Sequence, residues 1–190
     1  MHTILFITGN RGKFLEAQRL LQGFGIVVEQ ADLDIVEPQA DTLEEVVEKC
    51  AREALGMLEK SFIIEDSGLF INALNGFPGV YSSYVYEKIG CEGILKLLSG
   101  VTDRSAYFMT ALAYGEPNGE IRIFKGRIDG QIAMEKRGGS GFGYDPIFMP
   151  LGSNLTFAEM SIEEKNLFSH RARALRGFAS WFLECVGKKK

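Results

Sequence analysis

What this chain has little of narrows it first. It carries three cysteines, Cys50, Cys91 and Cys185, far apart and odd in number. With no CxxC pair among them, neither a disulfide framework nor a zinc knuckle is indicated, and free thiols in a reducing compartment are expected. There is no excess of positive charge; the formal net charge is −4. That balance argues against a nucleic acid polymer as partner, because neutralising a phosphate backbone needs clustered cations. No apolar run approaches the length that spans a bilayer. Met1-His2-Thr3 lacks a basic leader, and the apolar stretch from Ile4 to Ile7 is too short for a signal core. Lys188 to Lys190 read as a solvated end, too few lysines to hold a membrane. A cytoplasmic protein without membrane association is therefore expected. Internal repeats, low-complexity tracts and linkers are missing too, so residues 1–190 read as a single domain. A chain of that length buries most of its unfolded surface and needs no covalent staple.

What is present follows an α/β pattern. Ile4 to Ile7 is a buried strand ending in Thr8-Gly9-Asn10. A helix is expected from about Lys13, with Phe14, Ala17, Leu20 and Leu21 on its buried face. Ile26 to Val28 is a second strand. Thr42-Leu43-Glu44-Glu45 is a capping-box pattern opening a helix whose buried face is Leu43, Val46, Val47, Cys50, Ala51, Ala54 and Leu58. Phe62 to Ile64 is a third strand, running into Glu65-Asp66-Ser67-Gly68 at its C-terminal end. Asn75 to Tyr86 reads as loop with irregular turns. Ser105 to Tyr114 and Ile121 to Ile132 are β-rich, and Pro117-Asn118-Gly119 between them signals a hairpin. Ser161-Ile162-Glu163-Glu164 is a second capping box. A last helix is expected from about His170 to Val186, turning Ala174, Leu175, Phe178, Phe182 and Val186 inward.

Four constellations carry possible chemistry. Thr8-Gly9-Asn10-Arg11-Gly12-Lys13 joins a strand to a helix N-terminus, where amides and the helix dipole suit a phosphate and Lys13 adds a charge. It is not a GxxxxGK[ST] loop, and the competing reading is a tight turn with a surface lysine. Asp66, expected at a strand's carboxyl end, is placed either to hold a hard cation and take a proton from water or to cap a turn. Ser140-Gly141-Phe142-Gly143-Tyr144-Asp145-Pro146 offers two aromatics beside an acid: a stacking shelf for a base, or a loop whose rings plug the core. Lys165 and Ser169-His170-Arg171 are either a solvated basic patch or donors aimed at a nucleotide.

Taken together these stretches resemble the inosine triphosphate pyrophosphatase family, also called Ham1-like. TGNRGK at 8–13, EDSGL at 65–69, SGFGYDPIF at 140–148 and EKNLFSHRARAL at 164–175 stand in family order and spacing. Asn75 to Ser82 and Thr156 to Met160 support them. The resemblance covers essentially the whole chain. It implies a twisted mixed β-sheet flanked by helices, two lobes with a deep substrate cleft, and a homodimer. It implies hydrolysis of non-canonical purine nucleoside triphosphates (ITP, dITP, XTP) to the monophosphate and pyrophosphate, with Mg²⁺ as cofactor. Carried over residue by residue, Thr8, Gly9, Asn10, Arg11, Gly12 and Lys13 cradle the triphosphate, and Lys49 faces the phosphates. Asp66 is the proton acceptor and a metal ligand, Glu37 the second metal ligand, and Ser67 touches substrate. Phe142, Gly143, Tyr144 and Asp145 hold base and sugar, completed by Lys165, His170 and Arg171. Two other readings compete: a Maf-like pyrophosphatase acting on other modified nucleotides, and a nucleotide-binding module without turnover. The SHR and FGYDP stretches speak against the first, and pairing acids with lysines speaks against the second.

Overall fold

The computed structural model describes residues 2–117 and 119–188. The elements run β1 His2–Ile7, α1 Arg11–Gln22, β2 Ile26–Ala31, α2 Leu43–Leu55, β3 Phe62–Ile71, α3 Ser82–Leu97, β4 Ser105–Gly115, β5 Ile121–Ile132, β6 Phe148–Pro150, α4 Ile162–Phe168 and α5 His170–Lys188, with short 3-10 turns between several of them. The six strands form one mixed sheet in the order β2-β1-β3-β4-β5-β6. β1 pairs in parallel with β2 and β3, and β5 pairs antiparallel with β6. This is the α/β class expected from the alternation of elements.

The chain divides into two compact units. The first comprises residues 1–66, 110–126 and 171–190; the second comprises 67–109 and 127–170. Each has its own core. In the first, Ile4, Phe6, Phe14, Leu21, Ile63, Leu112, Tyr114, Leu175, Phe178 and Phe182 cluster among other buried residues. In the second, Leu69, Ile71, Ile94, Phe108, Ile128, Ile132, Tyr144, Phe148 and Phe157 do so. A fully buried side chain of this size contributes about 2 kcal/mol, so packing holds these elements more firmly than helix propensity does. On α5 the expected inward residues Ala174, Leu175, Phe178 and Phe182 are all buried. The Val186 side chain lies outside the described residues, as do Lys189 and Lys190.

The helix starts follow their caps. Asn10 Oδ1 accepts from the Lys13 N–H at 3.0 Å and starts α1 two residues before the expected point. Thr42 Oγ1 accepts from the Glu45 N–H at 3.2 Å and opens α2. At α4 both arms of the capping box form: Ser161 Oγ accepts from the Glu164 N–H, and Glu164 accepts from the Ser161 N–H. At the β4–β5 turn, the Glu116 N–H donates to Glu120 O at 3.0 Å and the Gly119 N–H to Glu116 O at 2.9 Å; Asn118 of the hairpin signal lies outside the described residues.

Two expectations give way. β3 does not stop at Ile64 but runs on through Glu65-Asp66-Ser67-Gly68 to Ile71. Residues 79–82 cover this continuation: the Leu69 N–H donates to Ser82 Oγ at 2.8 Å, and a Cβ on Gly68 would overlap the Gly79 carbonyl. The acidic pair is thus mid-strand. Its pairing with β1, however, ends at Ile7↔Ile64, so Glu65 and Asp66 follow the last parallel partner. The second change is α3, a helix of 16 residues that begins inside the stretch read as loop. Gly90, at φ 61° and ψ −164°, breaks its regular backbone, and the helix buries only Ser82, Val85, Cys91 and Ile94. A kinked, glycine-containing, mostly exposed helix has no clean 3.6-residue stripe to read.

Candidate active site

The phosphate-loop candidate is built on a strand-to-helix junction in the first unit. The Thr8 N–H donates to Ala31 O at 2.9 Å, and Gln30 Nε2 donates to Thr8 O at 2.8 Å, tying the loop to β2. Within the loop Thr8 Oγ1 accepts from the Asn10 N–H at 3.1 Å. The first-turn amides of a helix have no acceptor one turn back. Asn10 caps that of Lys13, which leaves the Arg11 and Gly12 N–H groups at the positive end of the α1 dipole. Gly9, Asn10 and Arg11 are exposed, and Thr8, Gly12 and Lys13 half-buried. That is the arrangement an anion needs: amides fixed by side-chain hydrogen bonds, open to solvent, with an ammonium beside them.

Behind Lys13 stands a buried ionic chain that the sequence reading did not assemble. Lys13 Nζ lies 3.5 Å from Glu65 Oε1. Arg171, 1 % exposed, donates through Nε to both Glu65 oxygens, at 2.8 and 3.0 Å. Its Nη1 donates to Glu16 Oε2 at 2.6 Å. Burial works against the guanidinium charge, but the carboxylates of Glu65 and Glu16 outweigh it and hold the group above its ordinary value. Arg171, expected as a donor to substrate, therefore has two of its nitrogens engaged with carboxylates inside the unit. The sequence carries a signal for Glu16: an acid between Phe14 and Ala17 on the buried stripe of α1.

Glu37 and Asp66 come from distant segments of the same unit. Asp66 is buried in β3, while Glu37 is exposed in the irregular stretch after β2. Both bear on one reporter: burial first, then the carboxylates of Glu37 and Asp66, push the Cys50 thiol up to about 11. Carboxylate oxygens are the donors Mg²⁺ takes, one or two of them with phosphate and water filling the rest of its octahedron. Among the described residues no group of three histidines, cysteines or acids is arranged to hold a metal alone. Lys49 is exposed on α2, one residue before Cys50.

The second unit holds the remaining expected residues. Lys165, buried on α4, donates to Asp145 Oδ2 at 2.7 Å. The same oxygen accepts from the Phe142 N–H at 2.9 Å. The Lys165 ammonium sits 4.8 Å from the Phe142 ring centre and 5.1 Å from that of Phe157. The loop is held by Ser140, whose Oγ donates to Ala158 O at 2.7 Å and Met160 O at 3.1 Å. Gly141 has φ +75°, and a Cβ there would overlap the Asp145 carboxylate. Of the two aromatics, Phe142 is half-buried, whereas Tyr144 is core: its ring meets Tyr86 edge-on at 5.2 Å and its hydroxyl donates to Ser82 O at 3.2 Å. His170 is buried, its ring stacked on Phe108 at 4.6 Å and 10°. Gly143 is half-buried in the loop, its carbonyl 3.5 Å from the Cys91 thiol. Ser67 is half-buried on β3.

These features define an α/β protein with a strand–loop–helix junction suited to an anion, a lysine of that junction facing a buried acid of β3, and a glycine loop organised by a buried Lys–Asp pair. The chain belongs to the Ham1 family, whose sequence model matches residues 4–181. It is 54% identical over 179 residues to a dITP/XTP pyrophosphatase of Methanopyrus kandleri, covering 94% of this chain and 95% of that one. It is 52% identical to a protein of the same name from Thermococcus kodakarensis, over 95% and 97% of the two chains. Among solved structures, a HAM1 protein from Coxiella burnetii superposes with a TM-score of 0.83 at 33% identity, covering 97% of this chain and all of that one. The Ham1 protein of Staphylococcus aureus gives a TM-score of 0.80 at 31% identity, over 95% and 97%.

Proposed function

We propose that this protein hydrolyses non-canonical purine nucleoside triphosphates, ITP, dITP and XTP, to the nucleoside monophosphate and pyrophosphate. The observation that carries the proposal is the position of Lys13: its ammonium faces the acid of β3 from a helix start that presents free-ended amides. The names of the relatives identify the substrate class for those proteins, and near-full-length identity of about half brings it to this one.

Thr8, Gly9, Asn10, Arg11, Gly12, Lys13 and Lys49 bind the triphosphate through amides and ammonium groups, which neutralise the charge that develops on the leaving pyrophosphate. Asp66 takes the proton of a water that attacks the α-phosphorus. The bond from that phosphorus to the bridging oxygen breaks, and pyrophosphate departs with its electron pair. Glu37 and Asp66 would hold Mg²⁺, which supplies charge neutralisation and orientation to the phosphates when bound. Ser67 contacts the substrate beside Asp66.

Base choice belongs to the second unit's residues. Inosine and xanthine bases carry an oxygen at C6 where adenine carries an amino group. Lys165, His170 and the amides of Gly143 and Tyr144 supply donors suited to that oxygen, and a buried donor left facing an amino group rejects adenine. Phe142 gives a flat apolar surface for the ring. We also infer a cytoplasmic homodimer. Tyr84, at 63 % exposure, and Tyr81, Tyr86, Ile89 and Leu97 put apolar area on the surface of α3 and the turn before it.

Pyrophosphate release across a panel of purine and pyrimidine triphosphates, with and without Mg²⁺, tests the whole reading. Preference for ITP and XTP that needs Mg²⁺ supports it. Preference for modified pyrimidines points to Maf-like chemistry, and tight binding without release points to a binding module. Light scattering of the purified protein tests the dimer.

A further inference from the structure

One buried acid has no part in the reaction above. Glu16 is 3 % exposed and lies on α1 three residues after Lys13, a spacing that puts both on one helix face. Through Arg171 it is joined to Glu65, and through Glu65 to Lys13. Charges alternate along this chain: Glu16, Arg171, Glu65, Lys13. We propose that Glu16 is a positioning residue for the phosphate-binding lysine, acting through Arg171 and Glu65; this rests on the pyrophosphatase reading.

The argument turns on how one guanidinium is shared. A buried Arg171 must be neutralised by acids in contact with it. Glu16 takes Nη1 at 2.6 Å and Glu65 takes Nε. With Glu16 supplying one counter-charge, Glu65 retains attraction for Lys13. The separation of 3.5 Å orients the ammonium without occupying all three of its N–H groups. Without the Glu16 charge, Arg171 draws Glu65 fully to itself, and Lys13 loses the group that aims it. Triphosphate binding then weakens. Charge counting alone gives the opposite sign, because removing an anion near a polyanion site tightens binding. A purely structural Glu16 changes stability and leaves binding alone.

Glu16→Gln keeps the shape and one acceptor oxygen while removing the charge. Two readouts are taken: KM for ITP from pyrophosphate release, and the Kd of inorganic tripolyphosphate with Mg²⁺ by calorimetry. The expected result is that both rise roughly tenfold, the effect of losing one charge-assisted contact, with kcat changed less. In the Lys13→Gln background the Glu16→Gln change should add almost nothing, since the two act in series. Glu16→Asp, which keeps the charge on a shorter arm, should give an intermediate KM and serves where Glu16→Gln does not fold. Unchanged or tighter binding in a folded Glu16 variant overturns the proposal, and so does full additivity with Lys13→Gln. If the wild-type protein releases no pyrophosphate from any triphosphate, the reaction assigned above falls, and the tripolyphosphate Kd still decides the role of Glu16.

Discussion

Arg171 donates through its Nε to both carboxylate oxygens of Glu65, a residue 106 positions earlier, with neither side chain open to solvent. The pair ties the start of α5 to β3 beneath the phosphate loop. Arg171→Met leaves Glu65 and Glu16 buried without their shared cation, which costs about 3–5 kcal/mol. Guanidinium denaturation should show that loss, with a melting temperature lower by roughly 10 °C for a chain of this size. Loss of activity without loss of stability in that variant would instead make Arg171 a direct substrate contact.

Asp66→Asn should leave the fold intact, because the amide is isosteric, while kcat falls about 10²–10⁴-fold as proton acceptance and a metal ligand are lost together. Circular dichroism checks the fold and a pyrophosphate-release assay checks the rate. Near-normal turnover removes Asp66 from the mechanism.

Lys165→Met breaks the buried pair with Asp145 and removes the ammonium from between Phe142 and Phe157. The Phe142 amide still has its Asp145 acceptor, but Asp145 is left buried without its cation, so stability falls as well. The expected outcome is a KM for ITP raised roughly tenfold and a smaller ITP-to-ATP preference, because a donor to the C6 oxygen is gone. Equal losses on both nucleotides would place Lys165 at the phosphates rather than the base.

The thiols give a prediction with a definite sign. Burial, then Glu37 and Asp66, push Cys50 up to about 11; burial also leads in pushing Cys91 up to about 11. Both are therefore protonated at neutral pH and inaccessible, while Cys185 is only partly buried. Maleimide at pH 7 should label one thiol in the native protein and all three after denaturation. Raised folded-state values mean that the unfolded chain loses these protons first. The stabilisation is complete below the ordinary thiol value of 9.0 and declines as pH rises from there towards 11. Denaturant midpoints measured across pH 8 to 11 test this, and Cys50→Ala should flatten the decline.

Local signals in the sequence held where the physics is local. Asn10, Thr42 and Ser161 each bond an amide three residues on, so the signals that set these helix starts lie within a single turn of chain. The inward face of α5 followed from spacing, because one apolar stripe packs against one core. The acidic pair was read at a strand end because Glu65 and Asp66 interrupt an apolar run. Past them β3 is still flanked by β4 in the sheet, and residues 79–82 lie against Gly68 and Leu69, contacts with no trace in the local pattern. α3 was missed since its turns bury little and bend at Gly90.

By itself the sequence determined the α/β class, the strand–loop–helix junction that suits a phosphate, and the set of residue types able to serve a nucleotide. Tertiary structure alone decided what each charge faces. It gave Arg171 to two acids, gave Lys165 to Asp145 between two rings, and sent Tyr144 into the core while Phe142 stayed half-exposed. The reason is range. Caps and stripes are settled within a few residues along the chain, whereas the partner of a buried charge is settled by whichever distant segment packs beside it.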